Sequence, residues 1–231
     1  ELVMARLADA PLRVEPFAHV CVEDVFPRDF YDEMIARLPR DENYMRLVDT
    51  GRVSQGYSPE RLCFFGPKDA AAARADDGVA FWTALFQALV HEDFTNAMIA
   101  KFQAPIADRF ATAGSGPDLR IECRSEAFLM RDLTNYALGP HTDSPSKLIS
   151  ALFYLPQDDA APQLGTALYV PKQRGFTCEG GGHHDFSLFD RVTTLPYRRN
   201  TLVAFPKTPA CFHGVEPAVQ ANSRPHLLLF N

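Results

Sequence analysis

The 231-residue chain has only five cysteines, Cys21, Cys63, Cys123, Cys178 and Cys211, scattered without a CxxC pair. An odd, dispersed set argues against a disulfide framework and against a zinc knuckle, and it suits a reducing compartment, so a cytoplasmic protein is expected. No stretch approaches the roughly 18 apolar residues that span a bilayer, and the first residues lack the basic start and apolar run of a signal peptide. A soluble protein with no membrane partner follows. Basic residues are outnumbered: 23 Lys and Arg stand against 29 Asp and Glu, the net charge is −6, and no Lys/Arg block offsets it. Nucleic acid, whose binding rests on phosphate neutralisation, is therefore not an expected partner. Internal repeats and low-complexity linkers are also missing, and 46% hydrophobic content over this length can bury a substantial core. One domain over residues 1–231 is expected, with its oligomeric state left open.

What is present changes character along the chain. The segment "PFAHVCVEDVFPRDFYDEMIARLP" alternates through Val20 and Val22, then Pro27 and Asp29 precede Tyr31, Met34, Ile35 and Leu38 at helical spacing. A strand and then a helix ending at Pro39 are expected. The first three residues are given no structural weight, and residues 41 to 67 read as mixed and turn-rich. "DGVAFWTALFQALVHEDFTNAMIAKFQAPIADRF" carries a long helical periodicity through Phe81, Leu85, Leu89, Phe94, Met98 and Phe102. After "AGSGPD" the runs shorten: "LRIECRSEAFLMRD", "KLISALFYLP", "GTALYVP", "NTLVAFP", "HGVEPAV" and "RPHLLLFN" are rich in β-branched or aromatic residues and bounded by turn formers. The expectation is a mainly β protein with flanking helices, an antiparallel sandwich or jelly roll backed by a helical amino-terminal part. Residues 172 to 199, with "CEGGGHHDF", read as a long irregular stretch suited to a lid or substrate loop.

The chemistry concentrates in "HTD". On extended backbone His141 and Asp143 project to the same side while Thr142 turns away. Alone, His-x-Asp is a weak pattern, and a solvated turn is the competing reading. The distal segment adds His213 after a strand and turn, and Arg224 just before the last apolar run. Two imidazoles and one carboxylate on one face of an ion leave the opposite positions open, the ligand set of non-haem Fe(II) oxygenases. Arg224 would suit the far carboxylate of a dicarboxylic cosubstrate through a bidentate pair, its competing role being a surface ion pair.

Tyr136, Gly139, "HTD", Gly165 before "TALYVP", "NTLVAFP", His213 and Arg224 together resemble the 2-oxoglutarate and Fe(II)-dependent dioxygenases, in the prolyl 4-hydroxylase-like branch, over roughly residues 118 to 231. The resemblance implies a double-stranded β-helix (jelly-roll, cupin-like) core behind a helical supporting part of about residues 1–117. It implies that His141, Asp143 and His213 ligate Fe(II), that Arg224 binds the distal carboxylate of 2-oxoglutarate, and that Tyr136 donates a hydrogen bond near that cosubstrate. O2 is the implied oxidant, with ascorbate a candidate accessory. The implied reaction hydroxylates an unactivated C–H of a small-molecule, amino-acid or carrier-linked substrate and releases succinate and CO2. Asp143, a carboxylate where related halogenases have a small residue, favours hydroxylation over halogenation, while desaturation, ring formation or epimerisation would use the same ligands. Thr166 and Ala167 stand where the family often has a second glycine and an acidic residue, a departure on the substrate side.

Other residues compete. His183 and His184 are adjacent, so on extended backbone they point opposite ways, and a substrate-contact or lid role suits them better than metal ligation. Arg131 and Asn135 could line the cavity mouth or make ion pairs, His226 reads as a hydrogen-bonded core residue, His19 and His91 as structural, and Cys211 as a buried thiol. Three alternatives remain: a peptidyl or prolyl hydroxylase, a non-catalytic jelly-roll binding protein, and a cupin-like metalloenzyme without 2-oxoglutarate, in which Arg224 is only structural.

Overall fold

The structure is a computed structural model that describes residues 1–53, 57–67, 76–112, 114, 120–133, 136–217 and 225–231. Its strands, in chain order, are β1 (Val20–Val22), β2 (Met45–Arg46), β3 (Arg61–Phe64), β4 (Ala127–Asp132), β5 (Leu138–His141), β6 (Ile149–Tyr154), β7 (Thr166–Pro171), β8 (Phe189–Leu195), β9 (Thr201–Pro206), β10 (His213–Val215) and β11 (His226–Phe230). They form a seven-stranded sheet, β1-β9-β6-β11-β4-β3-β2, and a four-stranded sheet, β5-β10-β7-β8. Neighbouring strands are antiparallel in both. The helices are α1 (Leu2–Asp9), α2 (Arg28–Ala36), α3 (Asp77–Leu89), α4 (Glu92–Lys101) and α5 (Gln103–Thr112).

Alternation along the large sheet's central strands explains their nearly continuous apolar sequences. Phe128 and Met130 of β4, Val203 and Phe205 of β9, and Leu227 and Leu229 of β11 pack into the space between the sheets with Leu168 and Leu195. Their neighbours Leu129, Leu202, Ala204, Leu228 and Phe230 pack on the other side against Trp82, Phe86, Phe94 and Met98 of α3 and α4. A sheet covered on both faces needs apolar residues at every position, which is what "TLVAFP" and "HLLLF" supply. The four-stranded sheet closes the other side, giving the double-stranded β-helix with helices on its larger sheet.

The long helical periodicity resolves into α3, α4 and α5. Asp76 caps α3, its carboxylate accepting from Gly78 N at 2.8 Å and Val79 N at 3.3 Å. Trp82 anchors that helix, donating Nε1–H to Arg37 O at 2.9 Å.

Three expectations are corrected. Residues 172–199 are not one irregular stretch, because they contain β8. That strand lies at a sheet edge with most side chains exposed, so "FDRVTTL" offers little apolar patterning. The turn-rich region before residue 67 contributes β2 and β3, so the amino-terminal part is strand as well as helix. The first residues also belong to a helix, α1, whose Leu7 is fully buried. Among the described residues no helix is long and apolar enough to cross a membrane.

Candidate metal centre

Strand pairing brings the two histidines together. His141 ends β5 and His213 opens β10, and the antiparallel register sets them opposite each other. Their ring centroids lie 4.4 Å apart. Asp143 follows after one residue and places Oδ2 3.8 Å from His213 Nε2. One ligand atom from each of His141, Asp143 and His213 lies within 4.8 Å of the others. Ligands about 2.0–2.2 Å from a common ion stand a few ångströms apart, so a small shift of these side chains closes the set on a cation.

The backbone fixes which ring nitrogen is offered. His141 Nδ1–H donates to Gly139 O at 3.0 Å, and His213 Nδ1–H donates to Cys211 O at 3.0 Å. A carbonyl only accepts, so each Nε2 keeps its lone pair for a metal. Burial holds both imidazoles below their ordinary pKa, and for His141 the neighbouring His213 adds to it. The rings are therefore neutral, as ligation requires. Asp143 goes the other way: burial alone would raise it, but Lys147, the His213 and His141 rings where acid protonates them, and the Ser150 hydroxyl outweigh burial and hold the carboxyl well below the usual range. Two neutral nitrogen donors and one carboxylate fit a divalent transition metal with open positions.

Ser150 Oγ donates to Asp143 Oδ2 at 2.5 Å and Lys147 Nζ to Oδ1 at 3.3 Å, so both oxygens are oriented. Ser150 was legible in principle, since it is a hydroxyl at an inward position of β6, in phase with Leu152 and Tyr154. Ser150→Ala is expected to weaken Ni(II) binding by roughly 10–100-fold, the usual cost of losing such an outer partner, as read by titration calorimetry. Unchanged affinity would mean that Lys147 alone orients the carboxylate.

The three residues line a cavity of about 690 Å³. Its interior wall is apolar, with Phe128, Met130, Leu227 and Leu229, and its polar wall includes Tyr57, Arg61 and His183. Arg61 is buried and meets Asp132 in a fork, Nε to Oδ1 at 2.5 Å and Nη2 to Oδ2 at 2.8 Å. Its guanidinium carbon stands 3.9 Å from the centroid of the Tyr136 ring. Tyr136 is buried beneath it with its hydroxyl 2.9 Å from that of Tyr57, so Tyr57 is the tyrosine that reaches the cavity wall. Sequence reasoning missed Tyr57, Arg61 and Asp132 as neighbours of the site, because the Arg61–Asp132 pair is made between strands far apart in the chain.

Arg224 and Asn135 lie outside the described residues. Arg131 pairs with Asp41 at 2.5 Å and sits over the Tyr44 ring, a structural role. His183 and His184 do face opposite ways: the first packs its ring 4.9 Å from that of His141, the second enters a cluster with Phe176, Phe189 and Phe212. Cys211 is a buried thiol on Thr208 O. His19 bonds Phe17 O, and His91 caps α4.

No family model matches the sequence, and no curated protein does. Solved structures resemble it in fold. A prolyl 4-hydroxylase of Phytophthora capsici superposes with a TM-score of 0.50 at 15% identity, over 99% of this chain and 60% of that one. A prolyl-4-hydroxylase of Pseudomonas putida gives 0.49 at 14% identity, over 99% and 96%. A 2OG-Fe(II) oxygenase family protein from Burkholderia pseudomallei gives 0.47 at 16% identity, over 98% and 88%. The chain is thus similar in fold to the Phytophthora capsici prolyl 4-hydroxylase, at low sequence identity.

Proposed function

We propose that the protein is a 2-oxoglutarate-dependent Fe(II) dioxygenase that hydroxylates a C–H bond of a small-molecule or amino-acid substrate. The observation that carries this reading is the convergence of His141, Asp143 and His213 to within 4.8 Å, each imidazole tied at Nδ1 to a carbonyl, at a mostly apolar cavity. These three residues hold the iron. Bound Fe(II) supplies the redox chemistry that couples O2 and 2-oxoglutarate to substrate oxidation, with succinate and CO2 as coproducts.

The chain's own residues set the conditions. His141 and His213 offer neutral nitrogens, and Asp143 supplies the site's negative charge while occupying the position that a halide would need. Phe128, Met130, Leu227 and Leu229 keep water from the cavity interior. Arg224 binds the distal carboxylate of the cosubstrate, and Tyr136 serves the cosubstrate through Tyr57, which it meets at 2.9 Å. All five cysteines are unpaired, which supports a reducing, cytoplasmic setting.

The test is succinate production from 2-oxoglutarate by protein reconstituted with Fe(II) under air. Arg224→Met is expected to raise the 2-oxoglutarate concentration for half-maximal rate by about tenfold or more, the scale of one lost charge-assisted pair, with iron affinity unchanged. Succinate no higher than in the metal-free control would overturn the reading. An unchanged 2-oxoglutarate requirement would remove Arg224 from it.

A further inference from the structure

Among the described residues β10 is the one strand paired with β5, the strand that presents His141, so β5 lies at the edge of its sheet. Residues 178–184 cover that edge, touching the metal-bearing segment along its length. Thr142 Oγ1 donates to Cys178 O at 2.7 Å. Gly180 lies so near Asp143 that a Cβ there would stand 2.6 Å from the Asp143 carbonyl oxygen. The His183 ring packs on His141, and His184 N donates to Pro140 O at 2.9 Å. Gly139 completes the contact, since its own Cβ would meet His184 O at 2.4 Å.

This strap has two fixed posts and glycines between them. At one end Cys178 N donates to Pro209 O at 2.8 Å; at the other the His184 ring sits among three phenylalanines. Between them Gly180 and Gly181 hold φ of 119° and 123°, backbone that side chains disfavour, and a Cβ on Gly181 or Gly182 would touch nothing within 4 Å. His183 is the strap side chain that lines the cavity.

Lys207 joins the strap to the ligands. It is 1% exposed, and its ammonium donates to neutral oxygens, Thr142 Oγ1 at 3.0 Å, Cys178 O at 3.3 Å and Thr208 O at 3.1 Å, with the carboxylates of Glu179 in the strap and Asp143 in the turn near enough to favour its charge. Burying an ammonium is costly, and an apolar side chain would fill the same space without that cost. What the ammonium does, and a methylene cannot, is bond the residue between the two ligands and the strap's first post at once.

We propose that Lys207 is a positioning residue that locks the strap 178–184 to the His141–Asp143 turn, so that filling the metal site orders the strap and sets His183 against the cavity. This rests on the metal-site reading above. The strap is then a wall whose closure is linked to metal occupancy, with His183 as the group it presents to substrate.

Hydrogen exchange read by mass spectrometry, with Ni(II) alone as the probe, tests the linkage. In the wild type Ni(II) is expected to slow exchange by about tenfold or more both in 139–145 and in 178–184. In Lys207→Met the turn still responds and the strap does not. Thr142→Val, which keeps the cation but deletes the hydroxyl between it and the strap, gives the same uncoupling and stands in where Lys207→Met does not fold. A merely structural lysine would speed exchange with and without Ni(II) alike and leave the ratio unchanged, and that result overturns the proposal. So does a wild-type strap that ignores Ni(II) while the turn responds. If the wild-type turn itself fails to respond, the metal-site reading falls and the linkage with it.

Discussion

Asp143→Ala abolishes tight divalent-metal binding, raising the Ni(II) dissociation constant on the order of a thousandfold, beyond the roughly 10–100-fold cost of an outer partner. The effect is large because Asp143 is the anionic member of a set whose other two donors are neutral. It is compounded by what remains: Lys147, now 3.3 Å from Asp143 Oδ1, loses its partner and stands as an unopposed cation beside the site. Burial holds both imidazoles below their ordinary pKa, which disfavours a charge on the rings in place of the missing carboxylate. Titration calorimetry of variant and wild type at the same pH measures the difference. Equal affinities would mean that the ion sits elsewhere.

The second large effect is on stability. Asp132→Asn or Arg61→Met costs about 3–5 kcal/mol, the usual penalty for leaving one member of a buried ion pair unpaired. Side-chain exposure of 8% for Arg61 and 6% for Asp132 places the pair out of water. Burial works against both charges: for Arg61 the Asp132 carboxylate outweighs it, whereas the Asp132 carboxyl stays raised by burial even with Arg61 beside it. The two residues are register partners on β3 and β4, so the pair also fixes how β3 joins the large sheet. Arg61→Met combined with Asp132→Asn should cost less than the two single changes added, because neither then strands a charge. Urea unfolding of the four proteins measures the coupling. A loss under about 1 kcal/mol for Asp132→Asn, or simple additivity, would show that the fork adds nothing beyond its separate residues.

Legibility in the sequence followed burial and locality. β4, β6, β7, β9 and β11 announce themselves as apolar runs between turn formers, since they lie within the two-sided core. β3 and β8 do not: β3 is only four residues long, beside an edge strand and opened by the charge-paired Arg61, and β8 is an edge strand whose exposed residues replace the apolar signal. His141 and Asp143 are legible together because the period of extended backbone puts them on one side; His213 adds itself by following a strand and turn. Arg61 carries no such local sign. Its meaning depends on Asp132 and Tyr136, which only the sheet brings to it. The opposite facing of His183 and His184 follows from adjacency, whereas the edge they cover depends on the place of β5 at the end of its sheet among the described residues. Lys207 reads in sequence as an ordinary polar residue after a strand, and its burial against Thr142 and Cys178 is a product of tertiary folding.

The central claim, that His141, Asp143 and His213 form a chelating iron site, is tested most directly by the anaerobic visible spectrum of metal-free protein given Fe(II) and then 2-oxoglutarate. The expected result is a new charge-transfer band in the wild type that is missing in His213→Ala. Iron binding without a band would keep the metal and remove the cosubstrate. A wild type that binds no iron would contradict the claim, and "HTD" would be a buried polar turn at the end of β5.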